Sequence, residues 1–213
     1  MNFLQRNLFI KLRSENFGTD EELEPMTTFK MQKIAQMMKN LSDIPEGEVR
    51  MNNSFLNRRL TKIQDDERHA IDTSIETVYL LRIIVGNVNS ILKNGINLKG
   101  IIQLGNYLRT KGDKVDFVKL EKWLTRLRIQ RIAQLEGSVL ITFFDFEKDE
   151  IPFVRRVEKG AYKLTLRSAR SITTLRSIRT SSLNRTMPAS YILPEAPCAR
   201  ICAEACASCS MLR

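Results

Sequence analysis

Between Ile71 and Pro152 the apolar residues recur at intervals of three and four, punctuated by Gly, Asn and Asp. That period belongs to helices, and the rest of the chain is organised around this stretch. Ile75, Val78, Leu81, Ile84, Val85, Val88 and Leu92 wrap much of one helix, which predicts a central position for it. Thr73-Ser-Ile-Glu76 has capping-box spacing at its start, and Lys93-Asn94-Gly95 supplies its stop. Asn97 then caps a helix over about 98–110, with Leu98, Ile101, Ile102, Leu104 and Leu108 inward. Gly100 and Gly105 inside that helix each cost about 1 kcal/mol relative to Ala, so they predict a close approach to the central helix. Lys111-Gly112 ends it. Asp116 caps the next helix, with Phe117, Leu120, Trp123, Leu124 and Leu127 inward. Residues 129–146 fit helical spacing through Ile132, Leu135, Val139, Leu140 and Phe143, although 139–144 also suits a buried strand. We expect a helix.

Upstream, Leu4, Leu8 and Leu12 share a stripe with Phe9 beside it, predicting a helix over 3–13. Its expected role is a core helix. A membrane-surface helix is the alternative, with only Arg6, Lys11 and Arg13 to hold it. Residues 18–25 (GTDEELEP) form an acidic loop. Thr27 or Thr28 caps a second helix with Phe29, Ile34, Met37, Met38 and Leu41 as its apolar face, ended at Ile44-Pro45-Glu46-Gly47. A third helix over 51–66 follows from Phe55, Leu56, Leu60 and Ile63, and leads into a charged joint at 65–69.

Composition adds a charge asymmetry. Hydrophobic residues at 43% and charged residues at 27% suit one globular domain in 213 residues. The net charge is +10, but residues 1–162 hold 26 Lys+Arg against 22 Asp+Glu, while 163–213 hold 8 against 2. A basic excess attracts nucleic acid or an anionic surface. Arg6 and Lys11 interrupt the place where a secretory h-region would run. The nearest approach to a membrane span, Val78–Val85, is broken by Arg82. The expected location is the cytoplasm.

Candidate chemistry is sparse. From Arg109 to Arg131 there are eight basic and three acidic residues. Lys119, Lys122 and Arg126 fall at i, i+3 and i+7 on the polar side of the 116–127 helix. They form either a phosphate-contacting patch or an ordinary solvated face. Asp145, Glu147, Asp149 and Glu150 could hold a metal, but an exposed acidic turn before Ile151-Pro152 is the expectation. His69 is the chain's single histidine and is expected to be solvated. Gly95, Gly100 and Gly105 do not lead into Gly-Lys-Ser/Thr, so they make no phosphate loop. No cofactor is expected.

Gly95-Ile96-Asn97-Leu98, Leu104, Tyr107-Leu108, Val115-Asp116 and Ile151-Pro152 carry a resemblance over about residues 71–153. The stretch resembles the helical portion of an uncharacterised bacterial, Bacteroidota-like family. It is distantly similar to the helical half of nucleotidyltransferase-like proteins. The catalytic head of such transferases, a Gly-Ser turn and an Asp-x-Asp pair that hold Mg²⁺ and a nucleotide, has no counterpart here. Asp113 and Asp116 are too far apart for the pair, and Gly105-Asn106 stands where the family tends to place Asp-Trp. The resemblance therefore implies an accessory or degenerate relative and transfers no catalytic residue.

After Lys163 the composition changes. Lys and Asp disappear, Arg, Ser and Ala increase, and all four Cys lie at 198, 202, 206 and 209. Not one acid occurs from Lys159 to Pro194. Three accounts fit. One is out-of-frame translation. The second is a disordered basic arm whose Arg167, Arg170, Arg176 and Arg179 pair with phosphates. The third is a metal site at Cys202-x3-Cys206-x2-Cys209. That spacing resembles the cluster motif of radical S-adenosylmethionine enzymes, which place it before a barrel that four residues cannot build. The expectation is thus an all-α bundle of five to seven helices over 1–153 and a disordered basic tail over 154–213. The expected function is a non-enzymatic interaction domain for a protein partner. Nucleic-acid binding through Lys119, Lys122, Arg126, Arg167, Arg170, Arg176 and Arg179 is the alternative.

Overall fold

A computed structural model describes residues 1–41, 43–44, 49–70 and 73–182, the last ten by backbone alone. The described residues form eight α-helices and one 3-10 turn, with no strand. The helices are α1 (Phe3–Phe17), α2 (Thr28–Lys39), α3 (Ser54–Arg68), α4 (Ile75–Asn94), α5 (Leu98–Lys111), α6 (Phe117–Arg126), α7 (Gln130–Phe143) and α8 (Lys159–Ser182), with the 3-10 turn at Gly112–Lys114. Helix α4 is central and packs against α3, α5, α6 and α7. It is the described helix long and apolar enough to cross a membrane, and here one side of it packs against other helices of the bundle. The compact unit runs from Met1 to Ile178; of the remainder, Arg179–Arg213, only the end of α8 is described.

Local chemistry sets most boundaries. Asn2 accepts from the Gln5 amide at 2.8 Å and Gln5 reaches back, a capping box that starts α1. Asn53, Asn97 and Asp116 cap α3, α5 and α6. Gly95, at φ +91°, ends α4 in a conformation that disfavours a side chain. The Thr73–Glu76 capping box does not form. Ser74 is the N-cap without a side-chain bond, and the Thr73 hydroxyl donates to Ala70 O at 2.8 Å. Residues 130–143 are helical, which settles the strand alternative.

Two expectations need correction. There are eight helices rather than five to seven, because an eighth occupies the start of the expected disordered tail. Val154, Ala161, Thr165 and Ala169 are all buried, so the body continues well past residue 153. Positions 161, 165 and 169 share one face of α8. Their small side chains let α8 lie close to the body, and the Thr165 hydroxyl is satisfied by Ala161 O at 2.8 Å. Not every apolar position faces the core either. Phe29, Phe55, Ile75 and Leu92 are more than half exposed.

The acidic loop at 18–25 folds back on α1. Arg6 pairs with Glu24, and Arg13 with Glu21 and Asp145. The hydrogen bond from Arg13 holds the Glu21 carboxyl below the usual carboxylate range.

At the centre, α4, α5 and α7 meet through polar atoms. Asn87 Nδ2 donates to Gly100 O at 3.0 Å and to Glu136 Oε2 at 3.3 Å. Glu136 is fully buried and its Oε1 has no partner. Burial lifts its carboxyl well above the usual range, and the Asn87 bond opposes the rise only in part. The folded state therefore favours the neutral acid. Stability is full below the unfolded-state pKa of about 4.3 and falls as pH rises toward the folded value, by at most ~1.4 kcal/mol per pH unit. Glu136→Gln, measured by urea unfolding across pH 4–8, should flatten this decline.

A Cβ on Gly100 would lie 2.0 Å from Asn87 Oδ1, whereas one on Gly86 meets nothing within 4 Å. Gly100→Ala should therefore destabilise by about 1–3 kcal/mol through overpacking. Gly86→Ala should stabilise α4 by about 0.5–1 kcal/mol. Thermal melts of the two variants check both signs.

Candidate nucleic-acid interface

Helix α6 presents the first candidate set. Leu120 and Leu124 bury its inner side, which leaves Lys119, Lys122 and Arg126 on the outer one. Asp116 fixes the start of the helix, accepting from Lys119 N at 2.9 Å while its own amide donates to the buried Thr77 hydroxyl. The C-terminal turn of α3 brings acids to this face. Lys119 Nζ lies 3.7 Å from Glu67, and Arg126 lies 3.9 Å from Asp66. Lys122 is exposed. Two of the three cations are thus partly neutralised by α3, which weakens the field this face can offer a phosphate.

Helix α8 presents the second. Lys159, Lys163, Arg167 and Arg170 are all exposed. They fall at i, i+4, i+8 and i+11, within one side of the helix, opposite the buried positions 161, 165 and 169. No acid occurs anywhere in Lys159–Ser182. Lys159, Lys163 and Arg167 make no ion pair among the described residues. Polar and ring contacts among the described residues hold the helix to the body. Met1's amino group donates to the Tyr162 hydroxyl at 3.1 Å, Gln5 Nε2 donates to Leu166 O at 3.1 Å, and Ser168 Oγ accepts from Ile96 N at 3.0 Å. The Tyr162 ring stacks on Phe143 with centroids 5.6 Å apart. Arg176 and Arg179 lie in the last turns of α8, where only the backbone is described.

The structure thus gathers Lys119, Lys122 and Arg126 on α6 and Arg167 and Arg170 on α8, and the two sets rest on different parts of the bundle. Helix α6 packs on α4 and α7. Helix α8 is fastened to α1, the α4–α5 turn and the end of α7. Lys159 and Lys163 join the α8 set unannounced by the sequence reading. Their i, i+4 spacing to Arg167 in an acid-free run was the signal that could have found them.

The other candidates have structural duties. The acidic turn is fastened by arginines: Asp145 by Arg13 at 3.1 Å, and Glu150 by Arg109 at 3.3 Å while it also accepts from Glu147 N at 2.7 Å. No cluster of His, Cys, Asp or Glu with metal-binding geometry occurs among the described residues. His69 is the exposed C-cap of α3. The cysteines at 198, 202, 206 and 209, and with them the metal account of the tail, lie outside the described residues. No protein-family model, curated protein or solved structure matches the chain.

Proposed function

We propose that the chain is a non-enzymatic binding module for nucleic acid, and that α8 is its contact surface. The observation that carries this reading is the exposed stripe of Lys159, Lys163, Arg167 and Arg170 on a helix without a single acid. At 1.5 Å per residue the stripe is about 16 Å long. A duplex carries one charge per ~1.7 Å of its axis, so several phosphates lie within reach of the four side chains. Binding of this kind is driven by counterion release and reads the backbone rather than the base sequence. Ser168, Thr165 and the alanines hold α8 against the body, so its cations are presented on a rigid rod with less conformational freedom to lose on binding.

The test is the affinity of the full chain for mixed-sequence duplex DNA and single-stranded RNA as salt is raised. Three or four phosphate contacts predict a log–log slope of about −2.7 to −3.6 on duplex, roughly a 40–150-fold loss between 50 and 200 mM salt. Lys163→Glu combined with Arg167→Glu should weaken binding at least tenfold, with circular dichroism unchanged. A flat salt response rejects the proposal. Deleting α8 is an unsuitable control, because Ala161, Thr165 and Ala169 belong to the core.

A further inference from the structure

The body fixes both the line of α8 and its rotation. Ala161, Thr165 and Ala169 are buried along one side. Gln5 on α1 holds Leu166 O, and the α4–α5 turn holds Ser168 Oγ. That turn lies so close that a Cβ on Gly95 would come within 2.9 Å of Ser168 Oγ. Lys159, Lys163, Arg167 and Arg170 therefore stand at about 0, 6, 12 and 16.5 Å along one outward line.

Two observations bear on which nucleic acid suits such a line. The first is its length. The major groove of a B-form duplex is about 12 Å wide, so a stripe of about 16 Å laid across it meets phosphates on both rims. A free strand offers no second rim, and it loses conformational freedom when it is drawn straight along a rod, whereas a duplex is already stiff over hundreds of ångströms. The second is composition. Proteins grip single strands largely by stacking bases on aromatic side chains. Tyr162 is the one aromatic residue of α8; its ring stacks on Phe143 and its hydroxyl accepts from the Met1 amino group. From Lys163 to Ser190 the sequence has no Phe, Trp or Tyr. The buried inner side also keeps α8 from sinking to a groove floor, and the helix contains no Asn or Gln, the residues that pair with adenine through two hydrogen bonds.

We propose that α8 selects double-stranded nucleic acid, lying across a groove with its cations on the phosphates of both strands, and that it discriminates against single strands while ignoring base sequence. This rests on the reading of α8 as a nucleic-acid surface and adds the strand state that the surface accepts. The shared chemistry is the paired phosphate backbone, which duplex DNA and duplex RNA both supply.

The experiment is fluorescence anisotropy of the full chain with one mixed-sequence oligonucleotide, free and annealed to its complement, in DNA and in RNA. The expected result is at least tenfold tighter binding of duplex than of its own free strand in one or both chemistries, and the tighter duplex identifies the source. The slope of log affinity on log salt should be steeper for duplex, since each contact contributes about 0.9 there against about 0.7 on a strand. Duplexes of unrelated sequence should bind within threefold of one another. Lys163→Gln with Arg167→Gln should remove most of the preference, with circular dichroism unchanged. Equal or tighter binding of the free strands overturns this inference while salt-dependent affinity still supports the nucleic-acid reading. A preference that survives the double substitution overturns it too, because the selectivity then lies outside the stripe. Absence of binding to either form overturns both.

Discussion

Asn87 divides one amide between the Gly100 carbonyl and the Glu136 carboxyl, and the packing of three helices depends on that division. The approach of α5 to α4 is possible because residue 100 has no side chain. Any Cβ there would occupy the space of Asn87 Oδ1. With α5 drawn in, α7 closes over the same point and buries Glu136 completely. A carboxyl in that position favours its neutral form, since burial raises its pKa and one amide hydrogen bond offsets the rise only in part. Its unpartnered Oε1 is the residual cost. The same three helices carry much of the apolar core, including Leu80, Ile84, Ile101, Leu104 and Leu140. The polar junction fixes the register in which these residues interlock.

The N-terminal helix and the chain after α7 are held to this centre by aromatic rings and arginines. Phe9 contacts Phe143 and Phe144, and Phe17 contacts Phe144 and Phe146, with centroids 4.5–6.0 Å apart. Arg109 covers the rings of Phe17 and Phe146 while pairing with Glu150. The acidic turn at 145–150 is therefore part of the wall that seals the bundle. Asp145, at φ +53°, accepts a left-handed backbone in the place where that turn leaves α7.

How much of this could be read from the sequence depended on whether a signal was local. Asn97, Asp116 and Gly95 announce their helix ends through side-chain size and polarity, and the structure uses them so. Gly100 announced a close approach because nothing else justifies its place inside a helix. Many residues on which the resemblance expected from the sequence rests, Gly95, Asn97, Leu98, Leu104, Leu108, Asp116 and Ile151, are these same caps and core positions. They describe fold-making rather than chemistry. Helix α8 was missed because its buried face consists of Ala161, Thr165 and Ala169, which hydropathy does not distinguish from a polar linker. Glu136 gave no sign of burial, since one acid among apolar residues looks like the outer face of a helix. The pairing of Lys119 and Arg126 with α3 is tertiary, and no spacing within α6 could reveal it.

That last point decides between the two basic surfaces. A cation contributes to a polyanion site in proportion to the field it projects, and an acid 3.7–3.9 Å away weakens that field. The α6 face is basic in sequence and partly neutralised in space. In the α8 stripe, Lys159, Lys163 and Arg167 make no ion pair among the described residues, and the helix itself contains no acid. The composition change near residue 163, which out-of-frame translation would also produce, does not mark the end of the packed body. Thr165, Ser168 and Ala169 lie beyond it and still fit the surface they are pressed against. Residues that pack and cap correctly on one face of a helix lend the regular cations on its other face the standing of a surface held in place by the fold.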